Sequence, residues 1–254
     1  MSPIISVRNL TKQFGSFTAV DHISFDVYEG EIFGFLGANG AGKTTAMRIL
    51  CGLSFPTDGA GTVVGYDIRT EGELIKRHIG YMSQRFSLYE DLTIEENIQL
   101  YGGIYGMSKE DIAQRTHELL EKLQFHEHKD DMVGSLPLGW KQKLAFMVAT
   151  IHRPKLIFLD EPTGGVDPIT RRQFWDLIRA TAQEGTTIFV TTHYMDEAEY
   201  CDRITMMVDG QIRALDTPTT LRKHYAELLH QTYETMSMEQ VFYHLAREAK
   251  RGVL

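Results

Sequence analysis

The stretch Gly37-Ala38-Asn39-Gly40-Ala41-Gly42-Lys43-Thr44-Thr45 constrains this chain more than any other part of it. It fits the pattern G-x-x-x-x-G-K-[ST]. It follows the apolar run Glu31-Ile32-Phe33-Gly34-Phe35-Leu36 directly and leads into helix-forming residues. A strand that turns through glycines into a helix points successive backbone N–H groups inward, and the helix adds the positive end of its dipole. Such a segment is built to hold phosphate oxygens. Gly37, Asn39, Gly40, Ala41 and Gly42 form the cradle, Lys43 is placed to reach β- and γ-phosphates, Thr44 offers a hydroxyl to Mg2+, and Thr45 starts the helix beside the α-phosphate. The expected ligand is a nucleoside triphosphate with Mg2+.

Short strand-like runs alternate with longer helical patterns along the rest of the chain, which is the order that builds a mainly parallel sheet covered by helices. Lys155-Leu156-Ile157-Phe158-Leu159 and Thr187-Ile188-Phe189-Val190 read as buried strands, and the runs 204–208 and 211–215 flank Asp209-Gly210, a two-residue hairpin signal. The fold class is α/β. From about 87 to 152 the helical reading dominates, with a capping box at Thr93-Ile94-Glu95-Glu96. A second box at Ser237-Met238-Glu239-Gln240 precedes Met238, Val241, Phe242 and Leu245 at helical spacing, which predicts a docked C-terminal helix. It either seals a dimer or packs on its own core.

The strand 156–159 runs into Asp160-Glu161, two carboxylates where ligands of open α/β sheets collect. Asp160 is expected to hold Mg2+ through a water or through Thr44, and Glu161 to polarise an attacking water. Thr187 to His193 is a second buried strand with a polar end, from which His193 can hydrogen-bond a γ-phosphate and register its presence. No stretch approaches the roughly 18 consecutive apolar residues of a membrane helix. The start Met1-Ser2-Pro3-Ile4 lacks the pattern of a secretory signal. Two cysteines, Cys51 and Cys201, exclude a disulfide framework, and a net charge of −8 argues against a nucleic-acid partner, which needs a basic face.

Taken together these residues resemble the ATP-binding subunit of ABC transporters, closest to bacterial ABC-2-type multidrug exporter subunits, over nearly the whole chain. The resemblance implies a P-loop NTPase of ABC ATPase type: a RecA-like core with an antiparallel β subdomain and a helical subdomain at about 87–152, in a domain spanning 1–220, followed by a C-terminal helical extension over 221–254. It implies that Phe14, in Thr11-Lys12-Gln13-Phe14-Gly15, stacks on adenine. Gln84, in Ile79-Gly80-Tyr81-Met82-Ser83-Gln84, matches the glutamine whose amide reaches the metal and the attacking water. Asp167, in Glu161-Pro162-Thr163-Gly164-Gly165-Val166-Asp167, matches the loop that contacts the opposite subunit, and His193 the switch histidine. Lys43, Gln84, Glu161 and His193 are then the catalytic set, with Thr44, Gln84 and Asp160 toward the metal. The implied partners are a second copy in the ATP-bound state and separate transmembrane permease subunits, with the chain cytoplasmic and peripheral on the inner face of the cell membrane.

One motif departs from the family. The signature Leu-Ser-Gly-Gly-Gln aligns with Leu136-Pro137-Leu138-Gly139-Trp140, where Pro137 has neither the serine hydroxyl nor a backbone N–H. In the family this segment opens a helix whose N-terminus faces the γ-phosphate of ATP held by the other subunit. Leu136 and Gly139 keep the motif and a proline is comfortable at a helix start, so the resemblance implies that the segment still caps that phosphate, but more weakly. Gly164 stands where the family often has serine. The aromatic stretch Arg85-Phe86-Ser87-Leu88-Tyr89-Glu90-Asp91-Leu92, with Tyr101 and Tyr105, either lines a groove for a helix of a membrane subunit or forms the helical segment's own core. Two other functions stay open on the sequence alone: a soluble ABC ATPase acting on nucleic acid or ribosomes, and a scaffold that closes on ATP with little hydrolysis.

Overall fold

The apolar runs do pair side by side. The computed structural model describes residues 2–251. In chain order it contains β1 (Pro3–Phe14), β2 (Phe17–Tyr28), β3 (Ile32–Gly37), α1 (Lys43–Leu50), β4 (Asp58–Val63), β5 (Tyr66–Asp67), α2 (Gly72–His78) and β6 (Ile79–Met82). Then come α3 (Ile94–Ile104), α4 (Lys109–Leu123), α5 (Leu138–Ala149), β7 (Leu156–Asp160), α6 (Pro168–Gln183), β8 (Thr187–Thr192), β9 (Arg203–Val208), β10 (Gln211–Asp216), α7 (Pro218–Leu228) and α8 (Met238–Arg251). The main sheet has the order β10-β9-β3-β8-β7-β6, with only β10 antiparallel. The β9–β10 hairpin turns at Asp209-Gly210, both at positive φ, as the sequence signal predicts.

The register of this sheet builds the site. Leu36 of β3 pairs with Thr192 of β8, and Asp160 of β7 pairs with Thr191, so the C-terminal ends of three neighbouring strands come level. Strands β3, β7 and β8 are buried along their whole length, which is why they read as continuous apolar runs without alternation. Their successive side chains still go to opposite faces. Phe33, Phe35, Phe158 and Phe189 pack on one side with Phe25 of β2, whose ring stacks on Phe33 at 5.6 Å. Leu36, Ile157, Leu159, Ile188 and Val190 pack on the other side with α5, α6 and α8.

A second, antiparallel sheet of order β2-β1-β4-β5 covers the Phe face. Its long strands β1 and β2 are not legible as strands in the sequence, because several register shifts interrupt the pairing of β1 with β2 and break the period-2 pattern. Three helices, α3, α4 and α5, fall in the segment expected to be helical, and the Thr93 capping box is present in full. The C-terminal box is present too: Gln240 N–H donates to Ser237 Oγ at 3.2 Å, and Ser237 N–H to Gln240 Oε1 at 2.9 Å. Met238, Val241 and Leu245 of α8 are buried in the chain's own core. Residues 252–254 of the expected extension lie outside the described residues. Among the described residues no helix is long and apolar enough to cross a membrane.

His152 joins the helical segment to the sheet. Its Nε2–H donates to Ile79 O at 3.1 Å at the start of β6, its ring stacks on Tyr105 at 3.7 Å, and its Nδ1 is buried without a partner. Burial, the largest cause, holds its pKa down at about 4 against 6.5 for a free histidine. The folded state therefore keeps this ring neutral where the unfolded chain takes up a proton. Its contribution is present above pH 6.5 and is lost as pH falls toward about 4. A His152→Gln protein, which keeps a donor for Ile79 O and cannot charge, is expected to gain about 2 kcal/mol on its parent between pH 6.5 and 4. Thermal unfolding across that range checks this, and parallel pH profiles would contradict it.

Candidate active site

β3 ends at Gly37 and α1 starts at Lys43, so the loop between them wraps a cavity of about 390 Å3. Asn39, Gly40, Gly42, Lys43, Thr44 and Thr45 form one wall, Gln84 and Glu161 the other, and Phe17 and Ala19 the rim. Glycine is required at position 42: its φ is +102°, and a Cβ there would lie 2.2 Å from Ala19 O. The close approach of β2 to the loop is thus what fixes the cradle's curvature.

Lys43, Gln84 and Glu161 meet in this cavity, and His193, which is not one of its lining residues, reaches Glu161. Lys43 Nζ donates to Gly37 O at 2.8 Å and Ala38 O at 3.1 Å, and lies 3.4 Å from Glu161 Oε1. The other oxygen of Glu161 takes Gln84 Nε2 at 3.1 Å and His193 Nδ1 at 3.0 Å. That contact assigns the Nδ1 proton of His193 as the donor, which leaves Nε2 for another partner. Glu161 sits at φ +48°, an uncommon conformation for a non-glycine residue, and its N–H donates to Thr191 O at 3.1 Å and Thr191 Oγ1 at 3.0 Å. The neighbouring strand therefore holds the turn that throws the carboxylate into the cavity. Lys43 is nearly fully buried; desolvation pulls its pKa below the usual 10.5, and the carboxylates of Glu161 and Asp160 oppose that pull.

Asp160 Oδ1 accepts the hydroxyls of Thr191 at 2.6 Å and Thr44 at 3.2 Å. Burial raises its pKa, with the two hydroxyls acting the other way. A buried carboxylate beside a threonine hydroxyl is a hard-oxygen donor set that suits Mg2+, and a divalent cation there offsets the cost of burying the charge. Gln84 adds a side-chain oxygen at the same wall, since its contact to Glu161 uses Nε2.

The remaining expected residues lie elsewhere. Phe14 is 56% exposed under Lys12 Nζ, 5.1 Å from its ring. Its cross-strand neighbour Phe17 is the aromatic on the cavity rim, a residue that no sequence motif singles out. Gly139 and Asp167 line a separate cavity of about 330 Å3 that shares no residue with the first. Leu136 is buried in the core beneath it. Pro137 is the residue before α5, and Trp140 turns inward to stack on Phe125 at 4.5 Å. Gln142 Nε2 donates to Gly164 O at 3.1 Å, which ties α5 to the loop after Glu161. Asp167 caps α6 by accepting from Ile169 N and Thr170 N, and its side-chain contact with Thr170 leads the hydrogen bonds that hold its pKa low. A Cβ at Gly139 would lie 2.5 Å from Thr170 Cγ2, so a larger residue there has to displace the Thr170 side chain. The aromatic stretch divides: Phe86, Leu88, Tyr101 and Tyr105 pack on the core, whereas Tyr89 is exposed.

A phosphate cradle between β3 and α1, faced by an acidic strand end on a mainly parallel sheet, defines a P-loop nucleotide-binding protein. The sequence pattern of the ABC transporter family matches residues 20–164, and the chain belongs to that family. It is 42% identical over 245 residues to the "Probable multidrug ABC transporter ATP-binding protein YbhF" of Escherichia coli, covering 96% of this chain and 42% of that protein. It is 36% identical over 219 residues to the linearmycin resistance ATP-binding protein of Bacillus subtilis, covering 86% of this chain and 70% of that one. Among solved structures it is similar to an ATP-binding subunit of an ABC transporter, with TM-score 0.82 and 26% identity over 95% of this chain and 98% of that one. It is also similar to a cassette solved as a dimer in a post-hydrolysis state with ADP and Pi, with TM-score 0.75 and 27% identity over 84% and 98%.

Proposed function

We propose that this chain binds and hydrolyses Mg·ATP as the motor of an ABC exporter, pairing head to tail with a second copy and driving separate transmembrane permease subunits from the inner face of the membrane. The observation that carries the chemistry is the convergence of Lys43, Gln84 and His193 on the Glu161 carboxylate at the inner end of the phosphate cradle. Lys43, held by Gly37 O and Ala38 O, is a donor ready to pass to β- and γ-phosphate oxygens. Glu161 is the base for the attacking water, with Gln84 aligning that water and His193 contacting the γ-phosphate while steadying the carboxylate. Thr44 and Asp160 would hold Mg2+, which when bound neutralises charge on the β- and γ-oxygens.

The pairing is supported by the second cavity. Gly139 at the first turn of α5 and Asp167 at the cap of α6 share one surface pocket, and the amides that open a helix have no intrahelical partners of their own. Laid over a second copy's cradle, that turn supplies donors to the γ-phosphate without the hydroxyl that Pro137 lacks. The exporter reading rests on relatives named for multidrug transport, linearmycin resistance and Nod factor export. Leu100 and Ile104, one turn apart on α3, leave apolar surface exposed and suit contact with a permease. Phosphate release by the purified chain, alone and after co-expression and assembly with transmembrane permease subunits, tests the proposal. Mg-dependent release that rises on assembly is expected, and no release in either state would overturn it.

A further inference from the structure

Glu197 takes no part in the chemistry above, yet it is fully buried (0% exposed) four residues beyond His193. Each of its oxygens accepts one hydroxyl: Oε1 from Thr163 Oγ1 at 2.6 Å, and Oε2 from Thr192 Oγ1 at 2.5 Å. Both threonines are themselves buried. Thr163 stands two residues after Glu161, and Thr192 is the residue before His193. Thr192 Oγ1 also accepts Tyr194 N–H at 3.0 Å, so it grips the backbone on the far side of His193. Arg171 on α6 brings Nε to 3.7 Å from Glu197 Oε1 and lays its guanidinium 3.9 Å from the centre of the Tyr194 ring.

We propose that Glu197 is a positioning residue for ATP hydrolysis: its two hydrogen bonds fix the spacing between Glu161 and His193 and tie that spacing to α6 through Arg171. The proposal rests on the reading of Glu161 as base and His193 as the γ-phosphate contact. One rigid carboxylate spans the two chain segments that carry those groups, and the hydroxyl hydrogen bonds to it are charge-assisted and dry. Without the acceptor, two buried hydroxyls lose their partner and the Glu161–His193 contact at 3.0 Å loses its support. Misplacement of a reacting group by about 1 Å costs on the order of 100-fold in rate.

The test is Glu197→Gln, with Thr192→Val and Thr192→Ser beside it. Glu197→Gln is expected to lower kcat about 10- to 100-fold with the Kd for a fluorescent ATP analogue within about two-fold of the parent, and to shift the His193 imidazole resonances in NMR spectra. Thr192→Val is expected to lower kcat in the same direction, and Thr192→Ser, which keeps the hydroxyl, to restore it. A folded Glu197→Gln protein with kcat within about two-fold of the parent, or equal rates for the Val and Ser variants, overturns the proposal. If Glu197→Gln does not fold, the Thr192 pair decides. If the parent itself releases no phosphate, the motor reading falls, and the His193 resonances alone judge whether Glu197 positions that ring.

Discussion

A Glu161→Gln protein is expected to hydrolyse ATP about 100- to 10,000-fold more slowly than its parent while binding ATP at least as tightly. Glutamine keeps the shape of the side chain, and its amide oxygen can still accept from Gln84 and His193, which donate to Glu161 at 3.1 and 3.0 Å. It cannot take a proton from water at neutral pH. The amide also removes the negative charge 3.4 Å from Lys43 Nζ, which frees the ammonium for phosphate and relieves repulsion between the carboxylate and the γ-phosphate. Binding and chemistry therefore move apart, which is the pattern expected when a group acts on the transition state alone. Single-turnover phosphate release and a titration with a fluorescent ATP analogue read the two separately. A rate within about ten-fold of the parent would remove Glu161 from the role of base.

The parts of this protein that are legible in its sequence are those where local chemistry and tertiary structure make the same demand. Phosphate holding needs glycines, a lysine and a helix start in a fixed order, so the order of residues from Gly37 to Thr45 is enough to place them on a strand-loop-helix unit. The capping boxes at Thr93 and Ser237 are equally local. The long strands β1 and β2 are hidden because their bulges, with Asn9 and His22 at positive φ, put apolar residues out of phase with any simple alternation. Glu197 is hidden for a different reason. In Met195-Asp196-Glu197-Ala198-Glu199 three acids look alike, and only the tertiary fold decides that Glu197 is buried. Phe17 shows the same limit, since sequence spacing gives no reason to prefer one member of the Phe14–Phe17 pair at the cavity rim.

Lys43→Ala is expected to weaken ATP binding by about 10- to 150-fold, the loss of a charge-assisted hydrogen bond to a phosphate oxygen at about 1.5 to 3 kcal/mol. The same substitution has a second effect that must be separated from the first. Lys43 Nζ is the cation nearest Glu161 in the buried end of the site, and removing it leaves the Glu161 carboxylate with only the donors of Gln84 and His193. Stranding a buried charge in this way is destabilising, so the variant is expected to melt below its parent. The double variant Lys43→Ala/Glu161→Gln distinguishes the two effects because it removes the stranded charge as well. Its melting temperature should recover toward the parent's, since the two sites are coupled through one ion pair. Its affinity for ATP should stay low, because no ammonium is present to meet the phosphates. Recovery of affinity along with stability would mean that Lys43 serves the fold and not the nucleotide, and a single Lys43→Ala protein that binds ATP like its parent would remove the lysine from the cradle altogether.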